Sequence, residues 1–223
     1  MIRPELVGVA EVPDGPPLRL FRRGADFMIV LERNELMSTR MSGSEVALGT
    51  MTCDRLADRP APHLLVGGYG MGFTLRAVLA QLGPDASVTV AELVPGIIEW
   101  ARGPMAALAD GCLDDPRVAL EIGDVGATIR SAARRYDAIL LDVDNGPDGL
   151  TRPGNDGLYG PRGLAAAHSA LRAGGVLAVW SAAPDPRFAR RLGDSGFDVE
   201  EVKVRARENG KGATHVIWFA TRR

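Results

Sequence analysis

Residues 63–76 read HLLVGGYGMGFTLR, a short apolar run that leads into closely spaced glycines and then into a helical pattern. The run from His63 to Val66 predicts a buried parallel strand, and the apolar residues after Gly72 recur at helical spacing. Glycine lets the backbone turn sharply and approach a ligand closely. A helix N-terminus offers free N–H groups to an anion. The stretch predicts a nucleotide-type cofactor site, although a tight turn alone would also require glycine.

A second predicted strand, Ser87–Ala91, is followed by the carboxylate of Glu92 and by Leu93. Glu92 lies 20 residues beyond Gly72. At this spacing, the acidic residue of a dinucleotide-binding fold takes the ribose hydroxyls. We therefore place Glu92 and Leu93 in the cofactor site. The alternative is that Glu92 is an ordinary solvated residue at a strand end.

The spacing of the glycines favours one class of cofactor. A nicotinamide or flavin fingerprint requires Gly-x-Gly-x-x-Gly, whereas here Gly68, Gly70 and Gly72 alternate with Tyr69 and Met71. A Walker-type phosphate loop is absent from the sequence, which argues against nucleoside triphosphate chemistry.

A Gly-Asp pair, Gly123-Asp124, follows the predicted strand Val118–Ile122. With the alternating glycines and the acid after the second strand, it resembles class I S-adenosylmethionine (SAM) methyltransferases. That resemblance implies that Asp124 contacts the adenine amino group and that the backbone of Val125 lies beside the ring.

The chain divides into two unequal parts. Residues 1–48 predict a small β-rich subdomain, and residues 49–223 alternate strand and helix signals, which predicts a parallel doubly wound sheet. The resemblance to class I methyltransferases implies that residues 49–223 form the SAM-binding domain. We expect an α/β fold with a Rossmann-like, doubly wound sheet of seven strands. The predicted helices are Val46–Ala57, Phe73–Leu82, Pro95–Ala109, Ala127–Arg134, Gly160–Leu171 and Pro186–Ser195, and the further strands are Ala138–Asp142, Gly175–Trp180, Phe197–Val204 and His215–Thr221.

Composition narrows the class of protein. The chain has 223 residues, 46% hydrophobic and 24% charged, with a net charge of −2. Without a basic cluster we expect no nucleic-acid partner, and without a signal core or a long apolar run we expect no membrane and a cytoplasmic location. Cys53 and Cys112 are too few for a disulfide framework, and isolated histidines predict no metal.

Carboxylates also follow the fourth strand of the predicted sheet. The run from Tyr136 to Leu141 is mostly apolar, which predicts a buried strand, and Asp142 and Asp144 come after it. Ligands of open α/β sheets bind at this edge. Asp142 and Asp144 are our candidate catalytic residues, and Asp142 also lies at the cofactor. The alternatives are that Asp142 caps the turn and Asp144 is solvated.

Several of these motifs together resemble spermidine synthases. They are the glycine loop with Thr74-Leu75-Arg76, the segment from Val90 to Arg102, Asp115-Pro116-Arg117-Val118, Gly123-Asp124 and Tyr136–Asp142. Spermidine synthases transfer an aminopropyl group from decarboxylated SAM to a diamine. The resemblance implies that Asp142 is the catalytic base.

The sequence departs from that family at residues tied to polyamine chemistry. The family aspartate that holds the donor amine corresponds to Met71, and the second aspartate of the strand-four loop falls on Asn145, with Asp144 one position early. The family's N-terminal signals have no clear equivalent around Met37–Leu48, where Thr39 alone aligns.

Those departures lead to an expectation about the donor. Loss of the carboxylate at Met71 would remove the attraction for decarboxylated SAM and the repulsion of ordinary SAM. The SAM carboxylate could then meet the helix N-terminus near Gly70–Phe73 or the side chain of Arg40. Met28, Met37, Met41 and Met71 suggest a less polar acceptor pocket, although such residues are more often part of the core.

We therefore expect a SAM-dependent methyltransferase that acts on a small-molecule acceptor and forms a homodimer. The first alternative is a divergent aminopropyltransferase that uses decarboxylated SAM. The second, from another class, is a non-catalytic SAM-binding protein that acts through a partner.

Overall fold

The computed structural model describes residues 3–143 and 156–223. Within them, an N-terminal antiparallel sheet precedes a larger sheet flanked by helices. The elements in chain order are β1 (Glu5–Ala10), β2 (Leu18–Arg23), β3 (Asp26–Leu31), β4 (Asn34–Ser38), α1 (Gly43–Asp54), β5 (His63–Gly67), α2 (Phe73–Gln81), β6 (Ser87–Glu92), α3 (Pro95–Arg102), α4 (Ala106–Ala109), β7 (Val118–Ile122), α5 (Val125–Arg130), β8 (Tyr136–Leu141), α6 (Asp156–Tyr159), α7 (Pro161–Ala170), β9 (Leu171–Ser181), α8 (Pro186–Asp194), β10 (Phe197–Arg205) and β11 (Thr214–Arg222).

The large sheet has seven strands in the order β10-β11-β9-β8-β5-β6-β7. Strands β5 to β9 are parallel, whereas β11 is antiparallel to both of its neighbours. The chain moves outward from β5 through β6 to β7 and then returns to the other side of β5 with β8. This reversal creates a switch point between β5 and β8, where open α/β sheets bind ligands. The predicted α/β fold with seven strands and an N-terminal β-rich part is confirmed.

The N-terminal sheet has the order β1-β2-β3-β4 and packs on the same hydrophobic core as α3. The two are in close contact, because a Cβ atom at Gly8 would lie 2.4 Å from the indole nitrogen of Trp100. Side chains such as Leu20 and Ile29 are almost completely buried in that core. The N-terminal sheet therefore forms a fixed wall beside the large sheet.

Helix α1 joins the two sheets and packs against α2. The boundary that we expected after residue 48 falls inside α1, so the division into residues 1–48 and 49–223 stays a prediction. The expected helix Pro95–Ala109 is interrupted after Arg102, because Pro104 has no N–H to donate and Gly103 leaves the helical conformation.

None of the helices in the described part of the chain is long and apolar enough to cross a lipid bilayer.

Candidate active site

The glycine loop lies between β5 and α2, at the switch point of the large sheet. Gly68, Gly70 and Gly72 have positive φ angles of 87°, 56° and 78°, a conformation that disfavours residues with a side chain. A Cβ atom at Gly68 would lie 2.7 Å from the carbonyl oxygen of Asp142. The loop backbone therefore runs directly beside the end of β8, and the Asp142 N–H donates to the Gly67 carbonyl at 3.1 Å.

Glu92 ends β6 and is held by the same loop. Its carboxylate accepts hydrogen bonds from the backbone N–H groups of Tyr69 and Val94, both at 2.8 Å. Burial raises the pKa of Glu92, and these backbone donors oppose that shift. The backbone N–H groups of Gly70 and Leu93 also favour the charged form of Glu92, so the loop and the turn after β6 fix this carboxylate in the cavity wall.

A cavity of about 360 Å³ opens at this edge and extends to the N-terminal sheet. The predicted residues Gly68, Gly70, Glu92 and Leu93 line it, as do Asp124, Val125 and Asp142. Apolar side chains of the N-terminal part form the opposite wall, among them Leu18, Ile29, Leu31, Leu36, Met37 and Met41. The cavity thus combines a polar floor with an apolar wall.

The ionisable groups of the cavity are almost all acidic. Its lining includes five carboxyl groups and one histidine, and no Lys or Arg from the part of the chain that the structure describes. The acidic residues are Glu35, Glu45, Glu92, Asp124 and Asp142. Such a lining attracts cations and repels anions.

Glu45 and Asp142 form a carboxyl pair within this cavity. Glu45 comes from the first turn of α1 and is only 7% exposed, and Asp142 follows β8. Burial raises the pKa of Glu45 to about 8, with a contribution from the nearby negative charge of Asp142. Burial also raises the pKa of Asp142 to about 6, against a hydrogen bond from Thr74. The two groups therefore titrate as a coupled pair.

Polar contacts hold this pair in place. The Thr74 hydroxyl lies 3.3 Å from both the Asp142 carboxylate and the backbone carbonyl of Glu45. Ser44 Oγ donates to Glu45 Oε2 at 2.7 Å, and His215 Nδ1 lies 2.9 Å from Ser44 Oγ. The elements α1, α2, β8 and β11 thus meet at the carboxyl pair.

Two aromatic rings continue that network along the cavity wall. The rings of His215 and Trp180 meet edge to face, with centroids 4.8 Å apart. Burial lowers the pKa of His215, which favours a neutral imidazole at neutral pH. Trp180 is 9% exposed, and its indole N–H has no hydrogen-bond partner in the described residues.

Asp124 caps α5, because its carboxylate accepts hydrogen bonds from the N–H groups of Gly126 and Ala127 at 2.9 and 3.1 Å. It also pairs with Arg130 at 3.1 Å, and both side chains are more than half exposed. Its presence at the rim of the cavity therefore has a local structural cause as well.

The structure does not bring every predicted site residue to the cavity. Tyr69 and Met71 are buried in the core, at 4% and 1% exposure, and neither lines the cavity. The Tyr69 hydroxyl lies 3.5 Å from Cys112 Sγ instead. Gly72 contributes only the turn into α2. Asp144 and Asn145 lie outside the described residues.

Arg40 is also separated from the cavity. Its guanidinium donates from Nε and Nη2 to one carboxylate oxygen, Oδ2 of Asp26, at 2.8 and 2.5 Å. It lines a second, smaller pocket of about 230 Å³ together with Arg23 and Arg207. Arg40 is therefore not placed to receive the carboxylate of a SAM molecule in the main cavity.

The sheet order, the glycine loop and the acid after β6 define the class I SAM-dependent fold. Within that class the chain has a spermidine synthase-like fold. It superimposes on spermidine synthase from Thermotoga maritima with a TM-score of 0.76 at 19% identity, over 100% of this chain and 75% of that one. A second structure, spermidine synthase in complex with the transition state analogue AdoDATO, gives a TM-score of 0.75 at 18% identity, over 98% of this chain and 72% of that one.

Sequence comparison also finds relatives among the aminopropyltransferases, although no protein-family model matches the chain. A polyamine aminopropyltransferase of Mycobacterium tuberculosis is 32% identical over 166 residues, 73% of this chain and 30% of that protein. Polyamine aminopropyltransferase 2 of Pseudomonas aeruginosa is 35% identical over 126 residues, 55% of this chain and 34% of that protein. The chain thus spans about a third of the length of these relatives.

These comparisons overturn the expectation of methyl transfer, which is wrong, and support the aminopropyltransferase alternative. The physical cause of the error lies in two residues. The side chain of Met71 points into the core, so its identity does not set the charge of the cavity. Arg40, the proposed partner of a SAM carboxylate, is engaged elsewhere with Asp26.

Proposed function

We propose that the chain transfers an aminopropyl group from decarboxylated SAM to a small amine acceptor. The observation that carries this proposal is the charge of the cavity: its described lining has five carboxyl groups and no Lys or Arg. Both decarboxylated SAM and an amine acceptor are cations, and ordinary SAM would bring a carboxylate into the same space. The names of the relatives support the same reaction.

The donor would bind along the glycine loop. Gly68 and Gly70 line the cavity, and because they have no side chains the donor can approach the loop backbone closely. The Glu92 carboxylate would accept hydrogen bonds from the ribose hydroxyls, with Leu93 beside the ribose. Asp124 and Val125 would lie beside the adenine. These roles follow the expected arrangement and agree with the position of each residue in the cavity.

The reaction would be an in-line displacement at the methylene carbon attached to the sulfonium. The acceptor ammonium first loses a proton to Asp142, and the resulting amine forms the new N–C bond as the C–S bond breaks. The bonding electrons remain on sulfur and leave a neutral thioether. Catalysis would come from positioning the two reactants and from general base assistance.

Calorimetric titration with decarboxylated SAM and with SAM tests the choice of donor. We expect decarboxylated SAM to bind at least about 10-fold more tightly, because a carboxylate within a few ångströms of the acidic cavity is repelled.

A turnover assay with putrescine should then yield an aminopropylated product. Tighter binding of SAM would contradict the proposed donor, and donor binding without turnover of any amine would support a non-catalytic binding protein.

Glu92 offers a separate test of donor placement. Replacement of Glu92 by glutamine should weaken donor binding by about 1–3 kcal/mol, since a charge-assisted hydrogen bond to the ribose is lost. Because the new glutamine can accept from the Tyr69 and Val94 N–H groups through only one oxygen, a melting curve must accompany the titration. A folded Glu92→Gln variant with unchanged affinity would remove Glu92 from the donor site.

A further inference from the structure

We propose that Glu45 and Asp142 together bind an alkylammonium group, so that Glu45 is a second functional carboxyl group of the site. This inference rests on the proposed function, since it names how that site recognises its cationic reactants. No sequence pattern assigned a role to Glu45. The ammonium can come from the acceptor or from the aminopropyl arm of the donor, and both present the same chemistry.

The position of Glu45 is the first support. An acidic side chain that is 7% exposed normally has a compensating cation. None is recorded for Glu45, whose side-chain partner among the described residues is the Ser44 hydroxyl, and whose charged neighbour is another carboxyl group. Without a ligand such a pair retains a proton, and a ligand that brings positive charge into the cavity can take the place of that proton.

The surroundings of the pair are the second support. Trp180 lines the same cavity, and its buried indole N–H lacks a partner in the described residues. An unpaired buried donor is costly, and because an ammonium group has no acceptor atom, this N–H indicates an acceptor elsewhere on the bound molecule. The neighbouring His215 ring is favoured in its neutral form because burial lowers its pKa, and so it does not repel an ammonium. Aromatic rings beside carboxyl groups are suitable for a cationic amine.

Ligand binding should then release a proton. With a pKa near 8 for Glu45 and near 6 for Asp142, the pair holds about one proton at pH 7. An ammonium between the two groups stabilises both charges and displaces that proton. The other ionisable residues of the described lining are His215, Glu35, Glu92 and Asp124, and the Glu45→Gln variant separates their contribution from that of Glu45.

The experiment compares wild type, Glu45→Gln and the control Glu99→Gln, which makes the same chemical change at an exposed position of α3. KM is measured for putrescine and for decarboxylated SAM. Proton release on binding of decarboxylated SAM and on binding of putrescine is obtained by calorimetry in buffers of different ionisation enthalpy. In Glu45→Gln we expect at least a 10-fold rise in one KM and loss of the proton release. A change in the putrescine KM assigns the ammonium to the acceptor, and a change in the donor KM assigns it to the aminopropyl arm.

Glu45→Asp, which retains a carboxyl group, should recover part of the lost affinity, and this separates charge from packing. If Glu45→Gln is folded and both KM values and the proton release match those of wild type, the inference is overturned while the proposed reaction stands. If the wild type itself transfers no aminopropyl group, the proposed function fails. Binding alone then still tests the ammonium site: in Glu45→Gln, an unchanged ratio of the Kd values of 5′-methylthioadenosine and decarboxylated SAM, together with an unchanged Kd for putrescine, overturns it.

Discussion

Replacement of Asp142 by asparagine is expected to lower kcat for the proposed aminopropyl transfer by about 100-fold or more, the range of a lost general base. Asp142 follows β8 at the switch point, lines the cavity and has a pKa raised to about 6 by burial. Asparagine preserves the shape and can still receive the Thr74 hydrogen bond, but it cannot take a proton from the acceptor. Product formation is followed by chromatography under saturating donor and acceptor.

The matched control is Asp198→Asn, the same change at an exposed residue that pairs with Arg223 on the surface. It should leave kcat within about twofold, since exposed ion pairs contribute little. A second measurement, the Kd of the donor, should change much less in Asp142→Asn than kcat does. If kcat stays near the wild-type value, Asp142 is not the base, and a structural role for this carboxylate would remain.

The stability of the protein should fall as the pH rises from about 4.5 to 8, because of Glu45. The folded-state pKa of this carboxyl is raised from 4.5 to about 8. Below pH 4.5 it is protonated in both states and its contribution is fully present. Between these values the unfolded chain ionises while the folded chain stays protonated, so stability is lost as the pH approaches 8. At about 1.4 kcal/mol per unit, the loss is on the order of 4 to 5 kcal/mol.

Chemical denaturation at several pH values measures this effect, with Glu45→Gln as the comparison. Glutamine does not ionise, so the variant should lose less stability over the same interval and should exceed the wild type above pH 8. Asp142 acts in the same direction up to about pH 6 and remains in both proteins. If the two proteins lose stability in parallel as the pH rises, the pKa of Glu45 is not raised in the folded state.

Much of the fold follows from local patterns in the sequence. The strand–glycine–helix unit from His63 onward is observed as β5, the loop and α2. The strand Val118–Ile122 has its predicted bounds, and the pair β10 and β11 forms as expected. These elements could be predicted because buried strands need apolar runs, and the turns between them need glycine, proline or polar residues. Strand β1 was missed because Gly8 interrupts its short pattern.

The residues of the candidate site were harder to predict from the sequence than the fold was. Its carboxylates Glu92 and Asp142 follow strands, where a sequence rule locates them. Glu45 lies in a Ser-rich helix start, Ser42–Glu45, where a carboxylate has an ordinary place in the first turn. Its burial arises from the packing of α1 against α2, β8 and β11, which lie further along the sequence. The direction of the Met71 side chain was equally hidden, because the φ angles of the flanking glycines determine it.

The placement of β11 has a consequence for the order in which the molecule is completed. This strand lies between β9 and β10, although both precede it in the chain. Until residues 214–222 are synthesised, β9 has an unpaired edge and β10 has no neighbour in the sheet. The contact between Ser44 and His215, which spans 171 positions, cannot form earlier. On the ribosome, a growing chain can therefore form its glycine loop early. The part of the cavity around Glu45 and Asp142 is completed only after β11 has emerged.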